Sequence, residues 1–299
     1  MFACPGEVCE NVPLGAGTRL ASEVVMEFII PAFNPPSLEA QQAWARSHLD
    51  VGAPFRVDAW PARLAALAAP LISLPLSATE RDALITLWGA RWDDQGDAPE
   101  FQRERDLIRD LQFRLQHQVG FWERGAFVRL NTRSPKDNLE ALDDQGKMTP
   151  VFNAGEAIER LLGSMERIHE DLHAAQLLGE EEAPVTIVVR PFEHFEPWRE
   201  VRMFIENDQL VGISAYFYRD VSLPLQAHYR RWEPRLRAAA AAIQKLVPWT
   251  SFTLDGWMTR DDEFRFLEVN PPVSSGCTDP ALFHDGRLDG SFRIPGLTA

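Results

Sequence analysis

At 299 residues, with 45% hydrophobic and 25% charged side chains, the chain has globular proportions and length for one large or two modest domains. Its 30 basic against 44 acidic residues give a formal charge of −14. That balance argues against a nucleic-acid partner, yet leaves room for a small phosphate ligand in a local basic pocket. No run reaches the roughly 18 apolar residues that span a bilayer, and MFACPGEVCENVPLGAG lacks the basic start and apolar run of a secretory signal. Three cysteines, Cys4, Cys9 and Cys277, are too few for a disulfide framework, and no histidine pair near Cys4 and Cys9 completes a zinc site. The expectation is a cytoplasmic protein with no membrane and no nucleic-acid partner.

Residues 1–25 carry several Gly and Pro and little periodicity, and read as a flexible N-terminal extension. Residues 26–118 read as a mainly helical region. SLEAQQAWARSHL opens with a capping Ser, Ser77 and Glu80 have capping-box spacing, and Leu107, Leu111 and Leu115 share one helical face. Asp93, Asp94 and Asp97 read as a solvated loop between helices. After residue 118 the texture changes. GAFVRLN is a strand, SPKDNLEAL a loop leading into a helix, and FNAGEAIERLLGSMERIHEDLHAAQ a helix with Ile158, Leu161, Leu162, Met165 and Ile168 on its apolar face. VTIVVRPF is nearly continuous apolar and β-branched, as a buried strand requires. EVRMFIEN and QLVGISAYFY form one hairpin, RLRAAAAAIQKLV a helix, and FTLDGWMT and FRFLEVNPP a second hairpin around RDDE.

The second hairpin carries the most informative chemistry. Strand side chains alternate, so Glu268 and Asn270 project from one face, and pairing around RDDE brings Asp255 opposite them. Three converging oxygen-bearing side chains suit magnesium, which takes a few carboxylates plus phosphate oxygens and water. The competing reading is an exposed polar face on an amphipathic hairpin. Upstream, AFVRLN carries Arg129 and VTIVVRPF carries Arg190 toward their ends, two cations placed to hold nucleotide phosphates or to form surface ion pairs. Glu200 and Arg202 share a strand face, so they pair with each other or Arg202 meets phosphate. No P-loop, dinucleotide fingerprint, nucleophile elbow or H-E-x-x-H occurs. His169 and His173 lie four apart with no third ligand evident, and read as a helix face rather than a metal site. Cys277 reads as an ordinary loop residue.

In this order the pieces resemble the cell-division-cycle-123 family, a divergent branch of the ATP-grasp superfamily, over roughly residues 126–270. RLNTRSPKDN is similar to the family's Lys-Leu-Asn…Ser-x-Pro-Lys-Asp stretch, and VVRPF to its strand ending in Arg-Lys-Trp. EVRMFIENDQLVGISAY is similar to its Glu-Phe-Arg-x-Phe hairpin, and FTLDGW…FLEVNPP to its Phe-Asp…Ile-Asp-Phe-Asn-Pro ending. PLISLPLSATERDAL adds a weaker echo.

The resemblance implies an α/β ATP-grasp fold, in which two α+β subdomains, residues 119–192 (small) and 193–299 (large, with the metal-binding hairpin), sandwich the nucleotide. It implies ATP and Mg²⁺ as ligands. Arg129 stands at the first nucleotide-contacting lysine and Arg190 at the second basic position, followed by Pro191 and Phe192 lining the adenine pocket. Ser134, Lys136 and Asp137 match a loop near the nucleotide, and Asp255, Glu268 and Asn270 match magnesium positions. Arg129, Arg190 and Arg202 are the expected phosphate-neutralising, catalytic cations. Two departures stand out: Arg129 replaces a lysine, exchanging a point charge for a planar fork, and Phe192 replaces a Trp. The superfamily activates a carboxylate as an acylphosphate for attack by an amine, which implies an ATP-dependent ligase with a small-molecule, peptide or protein acceptor. The alternative is a nucleotide-dependent assembly protein like the eukaryotic members, which are linked to translation initiation factor 2 through its gamma subunit.

Overall fold

A computed structural model describes residues 37–93, 95, 98–144, 146–219, 221–283 and 287–297. The expected N-terminal extension at residues 1–25, with Cys4 and Cys9, lies outside the described residues, as do Asp94 and Asp97 of the acidic loop.

Helix α1 (Leu38–Asp50) starts where Ser37 accepts a hydrogen bond from the Ala40 N–H. A short α2 (Ala62–Ala65) follows, then strand β1 (Ile72–Pro75). Helix α3 (Ala78–Trp92) opens with the full capping box, Ser77 and Glu80 satisfying each other's backbone N–H. Helix α4 (Gln102–Gln118) buries Ile108, Leu111 and Leu115, while Leu107 is only partly covered. Strand β2 (Ala126–Leu130) leads through a long loop to α5 (Ala154–Leu162), α6 (Arg167–Leu178) and β3 (Thr186–Pro191). Then come β4 (Glu200–Glu206), β5 (Gln209–Ala215), α7 (Leu223–Gln244), β6 (Phe252–Met258), β7 (Phe264–Asn270) and a two-residue β8 (Phe292–Arg293).

The strands form two sheets, ordered β1-β3-β2 and β7-β6-β4-β5-β8, antiparallel except for β5 with β8. The apolar run of β3 has a two-sided explanation. Ile187 and Val189 enter the core of the first sheet with α3 to α6, whereas Val188 enters the core beneath the second sheet with Trp232, Leu236 and Phe252. A strand buried on both faces cannot alternate polar with apolar.

Two sequence expectations change, and a third gains detail. The region expected to be mainly helical, residues 26–118, contributes strand β1 to the first sheet, and its Val57, Trp60 and Leu64 pack into the second core. It is woven into both layers because each sheet needs an apolar cover. The helix expected over FNAGEAIERLLGSMERIHEDLHAAQ is two helices, broken at residues 163–166. Gly163 packs so tightly on Asn138 that a Cβ there would lie 2.3 Å from its side-chain nitrogen, and Met165 is exposed in the break. The helix expected from Arg235 begins at Leu223, capped by Ser222, and runs through Pro234. Among the described residues no helix is long and apolar enough to cross a membrane.

Candidate functional site

The site grows from the β6–β7 hairpin. Its register sets Asp255 opposite Glu268 and Thr253 opposite Asn270, with a bulge between Asp255 and Gly256. Gly256 permits that bulge, because a Cβ there would lie 2.2 Å from the Phe264 ring and 2.5 Å from the Arg265 carbonyl oxygen. At the far end Asp262 takes φ 60°, and its Oδ1 accepts from Trp232 Nε1 at 2.7 Å, tying the turn to α7. Asn270 Nδ2 donates to Asp255 Oδ2 at 2.9 Å, and Glu268 faces Asp255 across the strand pair.

Cations from β2, the loop after it, β3 and β4 close on this cluster. Arg202, next door on β4, grips Asp255 with Nε and NH2, each at 2.8 Å. The ion pair that forms on this face is therefore Arg202–Asp255, and Glu200 stands outside it. Arg129 of β2 donates to Glu268 Oε2 at 2.5 Å and to the carbonyls of Leu130 and Thr132. Lys136 donates to Tyr216 Oη at 2.5 Å and to Glu268 Oε1 at 3.3 Å. Arg190 donates to the Leu267 carbonyl at 2.8 Å and lies over the Phe127 ring.

These neighbours set the charge states. Burial works against ionisation of Glu268, but Lys136, Arg129, Arg190 and Arg202 overcome it and hold the carboxyl well below its usual range. Burial also opposes the charge on Lys136 and Arg202, and the surrounding acids raise both nonetheless: Glu268, Glu200 and Asp255 together with the Tyr216 phenol for Lys136, Asp255 foremost for Arg202. Arg190 is pulled down by burial. Glu200 is the exception among the acids. Burial, with Asp255 and Glu268 adding to it, pushes its carboxyl up to about 7 against the pull of Lys136. Among the described residues Glu200 makes no side-chain hydrogen bond.

Two adjoining cavities open over the cluster and share Lys136, Tyr216 and Glu268. One, of about 140 Å³, has apolar walls from Phe127, Leu142, Met148, Phe192 and Phe195, with Glu200 and Arg190 at its edge. The other, of about 240 Å³, is lined by Arg129, Arg133, Arg167 and Arg202, with Ser134 and Asn270. An acidic chain thus brings Arg129, Arg133, Lys136, Arg167, Arg190 and Arg202 to one cleft, which grades from aromatic to cationic. A ligand with a flat apolar end and a polyanionic end matches that gradient.

The site residues expected from the sequence divide unevenly. Arg129, Ser134, Lys136, Arg190, Phe192, Arg202, Glu268 and Asn270 line the cleft. Pro191 supports it through backbone pairing with Ala126. Asp255, 1% exposed, lies beneath, covered by Arg202 and Asn270. Asp137 does not join them. Its carboxylate accepts from Ser164 Oγ and from the backbone N–H groups of Glu166 and Arg167, so it caps α6. The run Ser134-Pro135-Lys136-Asp137 hides this division, because Lys136 turns into the cleft and the next residue turns away.

Sequence reasoning missed Tyr216, Lys147, Phe195, Arg133 and Arg167. None has a local pattern that marks it; Lys147 sits 3.5 Å over the Phe195 ring although 48 residues separate them. His169 stacks on Trp88 at 3.8 Å and on His173 at 6.1 Å, an aromatic column rather than a ligand pair. Burial, helped by His173, lowers His169 to about 4. Cys277 is exposed and sits at the rim of the cationic cavity.

The donor chemistry for a metal is two carboxylates and an amide, all hard oxygens, which suits magnesium when phosphate and water complete its shell. Among the described residues no group of three or more His, Cys, Asp or Glu is arranged to hold a metal ion. A metal held by Glu268 and Asn270 would draw on Asp255 only if the Arg202 guanidinium moved aside.

The model of one protein family, D123, matches residues 83–291 of this chain. The chain belongs to the D123 family. A translation initiation factor eIF2 assembly protein of Dictyostelium discoideum is 26% identical over 174 residues, covering 52% of this chain and 41% of the relative. The match thus spans less than half the length of that curated relative. Cdc123 from Schizosaccharomyces pombe superposes with a TM-score of 0.59 at 16% identity, covering 82% of this chain and 95% of that one. A distant likeness, with a TM-score of 0.30 and 14% identity, covers 90% of this chain and 61% of the ATP-grasp ligase PsnB complexed with minimal precursor, Mg and ADP. The fold of this chain is therefore the mixed α/β fold of Cdc123.

Proposed function

We propose that this D123 protein binds ATP with magnesium in the cleft between its two sheets and uses the nucleotide to assist assembly of a protein partner. The observation that carries the reading is the graded cleft around Lys136, Tyr216 and Glu268, aromatic at one end and cationic at the other. In this reading two α+β subdomains sandwich the nucleotide. The base stacks in the aromatic end beside Phe192, and Arg129, Lys136, Arg190 and Arg202 receive the phosphates.

Glu268 and Asn270, backed by Asp255, would hold the magnesium, which supplies charge neutralisation on the phosphates. The four cations already face Asp255 and Glu268, so the bare ion meets a cationic environment, while the metal–nucleotide complex arrives as an anion. Nucleotide and metal therefore bind together.

The assembly role is favoured over a carboxylate–amine ligase because the Dictyostelium relative is an eIF2 assembly protein. A translation initiation factor subunit is accordingly the first partner to offer, and the place of action is the cytoplasm. Calorimetric titration with ATP, with magnesium present and then chelated, tests the site. Magnesium-dependent binding supports it, and no heat in either condition rejects it. ATP turnover with and without candidate acceptor peptides then separates the roles. Binding without acceptor-stimulated turnover favours assembly, and acceptor-dependent ADP release favours the ligase.

A further inference from the structure

The helix break at residues 163–166 has placed an arginine at the cleft. Arg167 opens α6, and its backbone N–H is pinned by Asp137 Oδ2 at 2.8 Å, as is that of Glu166 at 2.7 Å. The side chain lines the cationic cavity, where it differs from every other cation. Arg129 is engaged by Glu268, Lys136 by Glu268 and Tyr216, and Arg202 by Asp255. Arg133 is engaged by Glu170 and Asp171. Among the described residues the Arg167 guanidinium has no hydrogen-bond or ion-pair partner, and its Nε is a buried orphan donor. Burial and the neighbouring Arg133 both weigh against its charge.

Arg167 is half-buried with its Nε covered and unpartnered, which is costly, and an anionic ligand in the cavity would offset that cost. The shared Lys136, Tyr216 and Glu268 lie between the aromatic cavity and this one. A nucleotide with its base in the aromatic cavity thus sends the end of its phosphate chain to Arg167. We propose that Arg167 grips the terminal phosphoryl group and makes the cleft selective for a nucleoside triphosphate over the diphosphate. This rests on the nucleotide-binding reading above. It gives the assembly role a discriminator, since release of the terminal phosphate would leave Arg167 again without an anion.

The test is calorimetric titration of the full chain with ATP and with ADP in magnesium, for wild type, Arg167→Met and Arg167→Lys, with circular dichroism to verify folding. Charge-assisted hydrogen bonds of this kind correspond to roughly tenfold to a hundredfold in affinity. Wild type is expected to prefer ATP by about that factor. Arg167→Met should lose the preference by weakening ATP while ADP binds as before, and Arg167→Lys should restore part of it, a point charge replacing a fork. An unchanged ATP-to-ADP ratio in Arg167→Met, or equal losses for both nucleotides, overturns the proposal while leaving the nucleotide site standing. Should Arg167→Met not fold, Arg167→Lys decides by whether the ratio narrows. No binding of either nucleotide to wild type overturns the nucleotide reading itself.

Discussion

Arg202 holds Asp255 through two parallel hydrogen bonds, Nε to Oδ1 and NH2 to Oδ2, both 2.8 Å long and both buried. The two residues are Cα partners on neighbouring strands, so the pair is built into the sheet rather than laid over it. It places one fully covered carboxylate under the cleft and one guanidinium in its wall. Any ligand that recruits Asp255 must offer Arg202 another anion, and a phosphate group does so.

Removing half of this pair leaves a buried charge. Arg202→Ala should destabilise the fold by about 3–5 kcal/mol, because Asp255 keeps only Asn270 as donor. Replacing both, as Arg202→Met with Asp255→Leu, should cost much less. Urea denaturation of the two variants measures the difference. Equal losses would mean that the strands, not the pair, carry the energy.

Asn270 donates its amide hydrogen to Asp255, and among the described residues its amide oxygen has no donor. Asn270→Ala removes one donor from the buried Asp255 carboxylate, so it should cost about 1–3 kcal/mol of stability with Arg202 still paired. It should also weaken magnesium-dependent ATP binding by roughly tenfold or more. Titration with and without chelator reads both effects. Unaltered binding in the folded variant would remove Asn270 from the metal site.

The bulge beside Asp255 depends on a missing side chain. Gly256→Ala would push a methyl group to within 2.2 Å of the Phe264 ring and 2.5 Å of a backbone oxygen. Overpacking of this kind costs about 1–3 kcal/mol, and here it also displaces Asp255. The expected result is a lower thermal midpoint together with weaker ATP binding, checked by circular dichroism melting and titration on the same sample.

Glu200 makes the protein sensitive to pH near neutrality. Its folded-state value of about 7 lies above its ordinary 4.5, so the folded chain binds a proton that the unfolded chain releases. The associated stability is fully present below about pH 4.5 and is lost as pH rises through about 7. At 1.36 kcal/mol per pKa unit it amounts to about 3 kcal/mol. Glu200→Gln should flatten the decline in melting temperature between pH 5 and pH 8 and melt higher than wild type at pH 8. Parallel profiles for the two proteins would show that Glu200 titrates normally.

Much of the scaffold was legible in the sequence because its signals are local. The alternation in FTLDGW and FRFLEVN set Asp255 against Glu268 and Asn270, and the unbroken apolar run of VTIVVRPF marked a strand covered on both faces. Ser77 and Glu80 announced the start of α3. These features depend on periodicity and capping within a few residues, which a chain carries in its own order.

What only the tertiary structure decided is the pairing of charges across distance. Glu268 meets Arg129 from 139 residues away, and Arg202 chose Asp255 over its strand neighbour Glu200. Asp137 went to cap α6 rather than line the cleft, and the helix break beside Gly163 brought Arg167 to the cationic cavity. Such outcomes are set by desolvation: a buried charge takes whichever partner packing brings within reach, and packing joins segments that sequence spacing leaves unrelated.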